Sequence, residues 1–162
     1  MKKVILGLMM LTCIAMLPYS TYAQANSNQQ TADEIIGIVK AQWAAEIEDP
    51  GNVAEQFKNI ADDYTEYNGA YSTLLDGKAV STRLALAGAK DPNQTVGAEM
   101  LNSKVQVYGD VAILTYNFAG LTKNKDGETK PKRAKSTRVY VKQNGKWDMV
   151  HANFAPDPMP EN

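Results

Sequence analysis

The chain has 162 residues, 44% hydrophobic and 22% charged, with 17 basic against 18 acidic side chains, one histidine and one cysteine. So even a charge argues against a nucleic-acid partner, since neutralising phosphates needs a basic face. The single cysteine, Cys13, stands near the N-terminus, so the rest of the chain can form neither a disulfide nor a thiolate metal site.

The chain opens with Lys2 and Lys3, followed by the apolar run Val4–Leu17; Pro18 ends the run before a short polar stretch. This is the pattern of an export leader, with cleavage after Ala23 (Thr-Tyr-Ala) or Ala25 (Ala-Gln-Ala), the second fitting the small-x-small rule better. The run falls short of the roughly 20 residues that cross a bilayer, so no stable membrane anchor is expected. Cys13 lies inside the run, and Met10-Leu11-Thr12 offers no small residue before it, so no lipid is expected. Loss of Lys2 and Lys3 with the leader leaves 15 basic side chains facing 18 acidic ones. The remaining length, about 137 residues, suits one domain with its own core. The protein is therefore expected to be exported, periplasmic or secreted.

Residues 26–32 form a polar lead-in expected to be mobile, and the domain proper is read as 33–156, before a proline-rich tail at 157–162. A helix begins at Thr31 or Asp33, where Thr31-Ala-Asp-Glu34 supplies a cap and early acids. Ile36, Val39, Trp43 and Ile47 recur at helical spacing and should face inward. Asp49-Pro50-Gly51-Asn52 breaks this helix, and a second is predicted over Val53–Ala61, ahead of Asp62 and Asp63. Tyr64–Ala70 and Tyr71–Leu75 read as short strands and Lys78–Ala89 as a third helix. Four longer strands follow: Ala98–Tyr108, Val111–Leu121, Lys132–Lys142 and Lys146–Phe154. Asn144-Gly145 joins the last two, because both residues tolerate the positive φ of a tight hairpin. Helices followed by a meander of strands make an α+β fold.

The run Ser136 to Pro156, STRVYVKQNGKWDMVHANFAP, resembles the final two strands of the nuclear transport factor 2-like superfamily, which includes SnoaL-like and ketosteroid-isomerase-like proteins. It is most similar to the association domain of calcium/calmodulin-dependent protein kinase II, through its Thr-Arg-Val-aromatic, Gly-Lys-Trp and Val-His elements. The resemblance implies N-terminal helices packed on a strongly curved antiparallel sheet, forming a cone with an internal pocket. It further implies that Arg138 faces that pocket. Two positions that are basic in the relative read as Phe118 and Phe154 here, so the pocket should be more apolar, with one cation. A small amphipathic or carboxylate-bearing ligand fits that description, because a guanidinium binds a carboxylate bidentately.

Alternation along the strands extends the candidate set. If Arg138 points inward, so does Tyr140, while Val139 and Val141 point outward. If Phe118 points inward, so do Tyr116 and Leu114, with Ile113 outward. Trp43 and Tyr67 complete the main ligand-binding candidates; Asp63, His151 and Asn153 rank below them. Parity places His151 outward together with Trp147 and Asn153, and Val150 inward with Ala152, unless a β-bulge intervenes. Apolar side chains on both sheet faces call for a second cover beyond the helices, and a homodimer or higher homo-oligomer supplies one.

Catalysis has weaker support. The carboxylate base, Tyr and protonated Asp of ketosteroid isomerases fall, by pattern, near Trp43, Asn68 and Thr137, none of which suits its role. No phosphate-cradling glycine loop, metal-spaced His/Cys cluster or nucleophile elbow is present, so no catalytic residue, metal or cofactor is assigned. The charged stretch Lys123–Lys135 reads as a hairpin loop protecting sheet edges. Three functions stay open: a binder of a small ligand anchored on Arg138; an isomerase, hydratase or cyclase working through Tyr and Asp; and an oligomerisation module whose cone is filled by Trp43, Phe118, Tyr140 and Phe154. The leader reading has its own check. Intact mass of the exported form should correspond to a chain beginning at Gln24 or Asn26, without an acyl adduct; a mass that includes Cys13 overturns it.

Overall fold

The first helix begins with a half that is largely exposed and is supported by local side-chain pairs. The structure, a computed structural model, describes residues 17–157, with side chains from Gln24 onward. The apolar run Val4–Leu17 except its last residue, Cys13, and the tail beyond Asp157 lie outside the described residues. Helix α1 spans Leu17–Glu48. Pro18 and the polar stretch after it lie within this helix. The helix also runs straight through the expected lead-in at 26–32, so the predicted cap at Thr31 or Asp33 is not used. That N-terminal half is largely exposed and carries side-chain hydrogen bonds four residues apart, Gln24 to Asn28 and Gln29 to Asp33. Such pairs support a helix locally without tertiary packing.

Packing begins at Ile35. Ile35, Val39 and Trp43, four residues apart, are the buried seam, with Ile36 and Ile38 partly covered beside it. Ile47, expected on the inner face, is exposed, because the 3.6-residue period has by then rotated the seam away from a strict spacing of four. Gln56 ties off the turn after α1, its Nε2 donating to the carbonyls of Asp49 and Pro50 at 3.1 and 3.0 Å. Asn52 caps α2 (Val53–Gln56) by accepting from the Glu55 N–H at 3.3 Å.

The predicted second helix stops there, after one turn. Asn59 Nδ2 donates to the Trp147 carbonyl at 3.1 Å, and the Met149 N–H donates to the Asn59 carbonyl at 2.8 Å. These bonds draw the following residues into strand β1 (Ile60–Asn68) beside the C-terminal strand. Asp62 and Asp63 are thus exposed strand residues, not a helix terminus. Strand β2 is only Leu75–Asp76, and helix α3 is Lys78–Gly88. Strands β3 (Gln94–Tyr108), β4 (Val111–Lys123), β5 (Thr129–Gln143) and β6 (Lys146–Pro156) complete the chain, each near its expected place and somewhat longer at one or both ends. Most of the charged stretch Lys123–Lys135 is therefore strand rather than loop. The β4–β5 turn is tight, closed by the Asn124 N–H on the Glu128 carbonyl at 3.0 Å.

The six strands form one sheet in the order β2-β1-β6-β5-β4-β3, antiparallel throughout except for the parallel pair β1 and β6. Asn144 and Gly145, with φ of 52° and 79°, close the β5–β6 hairpin as expected. Register shifts between Leu101 and Lys104, where Asn102 has φ 52°, and between Thr95 and Gly97 bend β3; bulges of this kind increase the coiling of a sheet. One face is concave and holds the core, with Leu114, Tyr140, Trp147, Met149 and Ala152 buried beneath α1. The result is the α+β arrangement expected: an N-terminal helix on a curved, mostly antiparallel sheet.

Candidate functional site

The helices do not fill the concave face. Between α1, α3 and the sheet lies a cavity of about 710 Å³, within the range of small-molecule sites. Trp43 of α1, Leu84 of α3, Tyr116 and Phe118 of β4 and Phe154 of β6 supply much of its apolar wall. Exposed Lys132 and Arg133 of β5 and Asp91 stand at its rim.

Arg138 lies at the inner end of this space and is 4% exposed. Its Nε donates to Tyr116 Oη at 3.0 Å and its Nη1 to Gln42 Oε1 at 2.6 Å, with the Met149 sulfur 3.9 Å from Nη1. Its Cζ sits 5.3 Å from the centre of the Phe154 ring and 5.7 Å from that of Tyr116, within the distance at which ring faces attract a cation. No carboxylate comes within 4.0 Å of the guanidinium among the described residues. The buried Tyr140 hydroxyl also hydrogen-bonds with the guanidinium. Burial works against the charge, and Tyr116, Tyr140 and Tyr64 more than compensate, so Arg138 stays above its ordinary range. A buried charge is normally paired; this one has only neutral partners and unspent donors beside a cavity.

A second polar cluster occupies the wall on β1. Tyr64 Oη donates to Glu66 Oε2 at 2.8 Å, and Asn68 Nδ2 donates to Glu66 Oε1 at 2.8 Å. Tyr64, Glu66 and Asn68 alternate along the strand and all line the cavity. Burial pushes the Tyr64 hydroxyl far up, and the adjacent Glu66 charge and hydrogen bond push it further. Tyr64 therefore remains a donor at neutral pH. Burial also raises Tyr140, with Arg138 pulling the other way.

The cavity wall includes Arg138, Tyr116, Trp43, Phe118 and Phe154 among the sequence-predicted residues. Tyr140 is buried at 1% exposure, paired with Met149 and Ala112, off the main wall. Tyr67, 52% exposed, lies on the convex face, because Tyr64, Glu66 and Asn68 take the inward parity of β1. Asp63 shares that outward parity and is exposed. His151 also lies off the cavity; its Nδ1 is 2.9 Å from Thr65 Oγ1, and its ring meets Tyr67 edge-on at 6.3 Å. Asn153 is exposed next to it.

Trp147 and Val150 depart from parity. Tyr140 pairs with Met149 and Val139 with His151, which leaves Val150 as the extra residue of a bulge. Trp147 therefore joins Met149, Ala152 and Phe154 on the concave side, 2% exposed. Sequence reasoning missed Glu66, Gln42 and Glu46 on the wall. For Glu66 the signal was there: Tyr64, Glu66 and Asn68 share one parity, once Tyr64 is taken as core.

Sheet, helices and a cavity with a buried guanidinium define an α+β domain of the nuclear transport factor 2-like type. The chain belongs to the calcium/calmodulin-dependent protein kinase II association domain family, whose sequence pattern matches residues 34–158. Among solved structures it is similar to the association domain of C. elegans CaMKII (TM-score 0.67, 21% identity, covering 80% of this chain and 98% of that one). The CaMKII hub of S. rosetta is similar too (0.63, 22%, 76% and 94%), as is a nuclear transport factor 2-like superfamily protein from Salmonella enterica (0.67, 13%, 82% and 95%). At these identities the likeness is one of fold. A search of curated protein sequences gives no match.

One wall position is fixed by a glycine. A Cβ at Gly120 would lie 2.5 Å from Phe118 Cζ and 3.1 Å from the Gly97 carbonyl oxygen, since the Phe118 ring folds over the bare backbone two residues on. That ring meets Trp43 edge-on at 5.4 Å. Gly120→Ala should displace it and cost about 1–3 kcal/mol, as overpacking does, with a change in Trp fluorescence. Urea melts matching the parent, with unchanged emission, would contradict this.

Proposed function

We propose that this chain is an exported, homo-oligomeric binding protein that holds a small carboxylate-bearing ligand in its cone, with Arg138 as the anchor. The observation that carries the reading is a charged guanidinium, almost wholly buried, without an acidic partner among the described residues, on the wall of a cavity of about 710 Å³. Tyr116 and Gln42 hold two of its nitrogens in place, and a guanidinium's five N–H donors leave others for a ligand oxygen. Trp43, Phe118 and Phe154 suit an apolar body attached to the carboxylate.

The competing functions fare less well. A filled cone leaves the cavity without an explanation, since Trp43, Phe118 and Phe154 line it rather than close it. An enzyme working through Asp62 or Asp63 would need one of them inside, and both are exposed on β1. Of the positions matched to ketosteroid isomerase roles, Trp43 is core, Asn68 is a donor to Glu66, and Thr137 has the parity opposite to Arg138.

Membership of the association-domain family supports self-association. The convex face offers Ile113, Val139 and Val141, half-buried by the sheet alone, in rows formed by Ile113 opposite Val139 and Val111 opposite Val141. A second copy laid on this face would cover them. Signal-peptide cleavage would place the protein outside the cytoplasm.

Two experiments test these parts separately. Arg138→Gln should weaken binding of 3-phenylpropanoate about tenfold to a hundredfold, the worth of a charge-assisted hydrogen bond of roughly 1.5–3 kcal/mol, while sparing 3-phenylpropanamide. Equal binding of both probes by parent and variant would remove the anchor. Val141→Lys should shift light-scattering mass toward the monomer with helical circular dichroism retained; a parent that is already monomeric at micromolar concentration refutes the oligomer.

A further inference from the structure

Across three adjacent strands, one row of residues holds two opposite charges. Glu66 of β1 is in register with Ala152 of β6, and Ala152 is in register with Arg138 of β5. Glu66 and Arg138 therefore stand two strand spacings apart, about 10 Å between backbones, and both line the same cavity. The residue between them is the smallest side chain in the row. Ala152 is fully buried and lies beneath the cavity wall rather than on it, so it places no long side chain of its own between the two charges.

Neither charge is cancelled by the other. Tyr64 and Asn68 hold the two Glu66 oxygens, each with a single hydrogen bond at 2.8 Å. A carboxylate accepts about four, so each oxygen keeps an unused lone-pair direction. Glu66 makes no ion pair with a Lys or Arg among the described residues. Arg138 likewise has no carboxylate partner among them and more N–H donors than its neutral partners use. Tyr116 and Gln42 on one side, and Tyr64 and Asn68 on the other, fix the two groups in orientation before any ligand arrives.

From this geometry we infer that the cavity takes a zwitterion of amino-acid type with an apolar side group, its carboxylate on Arg138 and its ammonium on Glu66. This rests on the ligand-binding reading above and names the ligand class. A simple carboxylate would satisfy Arg138 and leave Glu66 unpaired on a half-buried wall. A dicarboxylate would set a second anion against it. An amino acid offers both contacts at once: two charge-assisted hydrogen bonds of about 2.8 Å plus its own length would join protein atoms about 8–9 Å apart across the shared cavity. Its side group then lies against Trp43, Phe118 and Phe154.

Calorimetry with three related probes tests the inference on the unmodified protein. L-Phenylalanine should bind at least tenfold tighter than 3-phenylpropanoate, which lacks the ammonium, and than L-phenylalaninamide, which lacks the carboxylate. Glu66→Gln keeps the side chain's size and should weaken L-phenylalanine about tenfold while leaving 3-phenylpropanoate unchanged or tighter. Asp63→Asn, on the outward parity of the same strand, should change neither. If 3-phenylpropanoate binds as tightly as L-phenylalanine, and Arg138→Gln abolishes both, the zwitterion inference fails while the anion-binding reading stands. If none of the three binds, both fail. Should Glu66→Gln not fold, the comparison of probes on the parent protein decides by itself.

Discussion

The architecture turns on one costly feature, a guanidinium kept charged inside the concave face of a sheet. A buried charge needs compensation, and here it comes from neutral groups on several separate elements: Gln42 of α1, Tyr116 of β4, and the rings of Tyr116 and Phe154. Each partner is meaningful only if α1 lies across the sheet at one angle and β4, β5 and β6 keep one register. Specificity of packing and chemistry of the site are thus two aspects of the same arrangement. Replacing Arg138 with an apolar residue would relieve the desolvation cost but leave Gln42 and Tyr116 without their partner.

The parallel pairing of β1 with β6 is the second organising element. It shortens α2 to a single turn and turns Ile60–Asp63 from predicted helix and turn into strand. It also brings Tyr64, Glu66 and Asn68 onto the same wall as Arg138. That pairing adds the Glu66 carboxylate to a cavity whose lining already includes Glu46 and Asp91. The small residues along the concave face have a related role. Ala152 sits fully buried between the two charged residues without a long side chain, and Gly120 allows Phe118 to lie down against the backbone and meet Trp43.

Pattern alone was enough for much of the sheet. Alternation predicted Leu114, Tyr116, Arg138 and Tyr140 inward and Ile113, Val139 and Val141 outward, and these strands behave so because they are regular antiparallel neighbours. It misjudged Trp147, because the bulge at Val150 inserts one residue and reverses parity on one side of it. It placed Tyr67 among the ligand candidates as an aromatic of a short strand, although the strand's inward positions are the even-numbered ones beginning at Tyr64. The seam of α1 was legible in Val39 and Trp43, and less so at its ends, where Ile35 replaces Ile36 as the buried residue and Ile47 turns out to solvent.

The α+β class, the family resemblance carried by Ser136 to Pro156, the tight Asn144-Gly145 turn and the cationic candidate in mid-strand could all be read from the chain before folding. These are local or periodic properties, set by backbone preference and by which face a side chain takes. Only the assembled fold made β1 lie parallel to the last strand, kept Arg138 away from every described carboxylate, and set Glu66 in its row across Ala152. Those outcomes depend above all on the pairing of β1 with β6, whose partners lie roughly 85 to 90 residues apart, and contacts at that separation leave no periodic trace in a single chain.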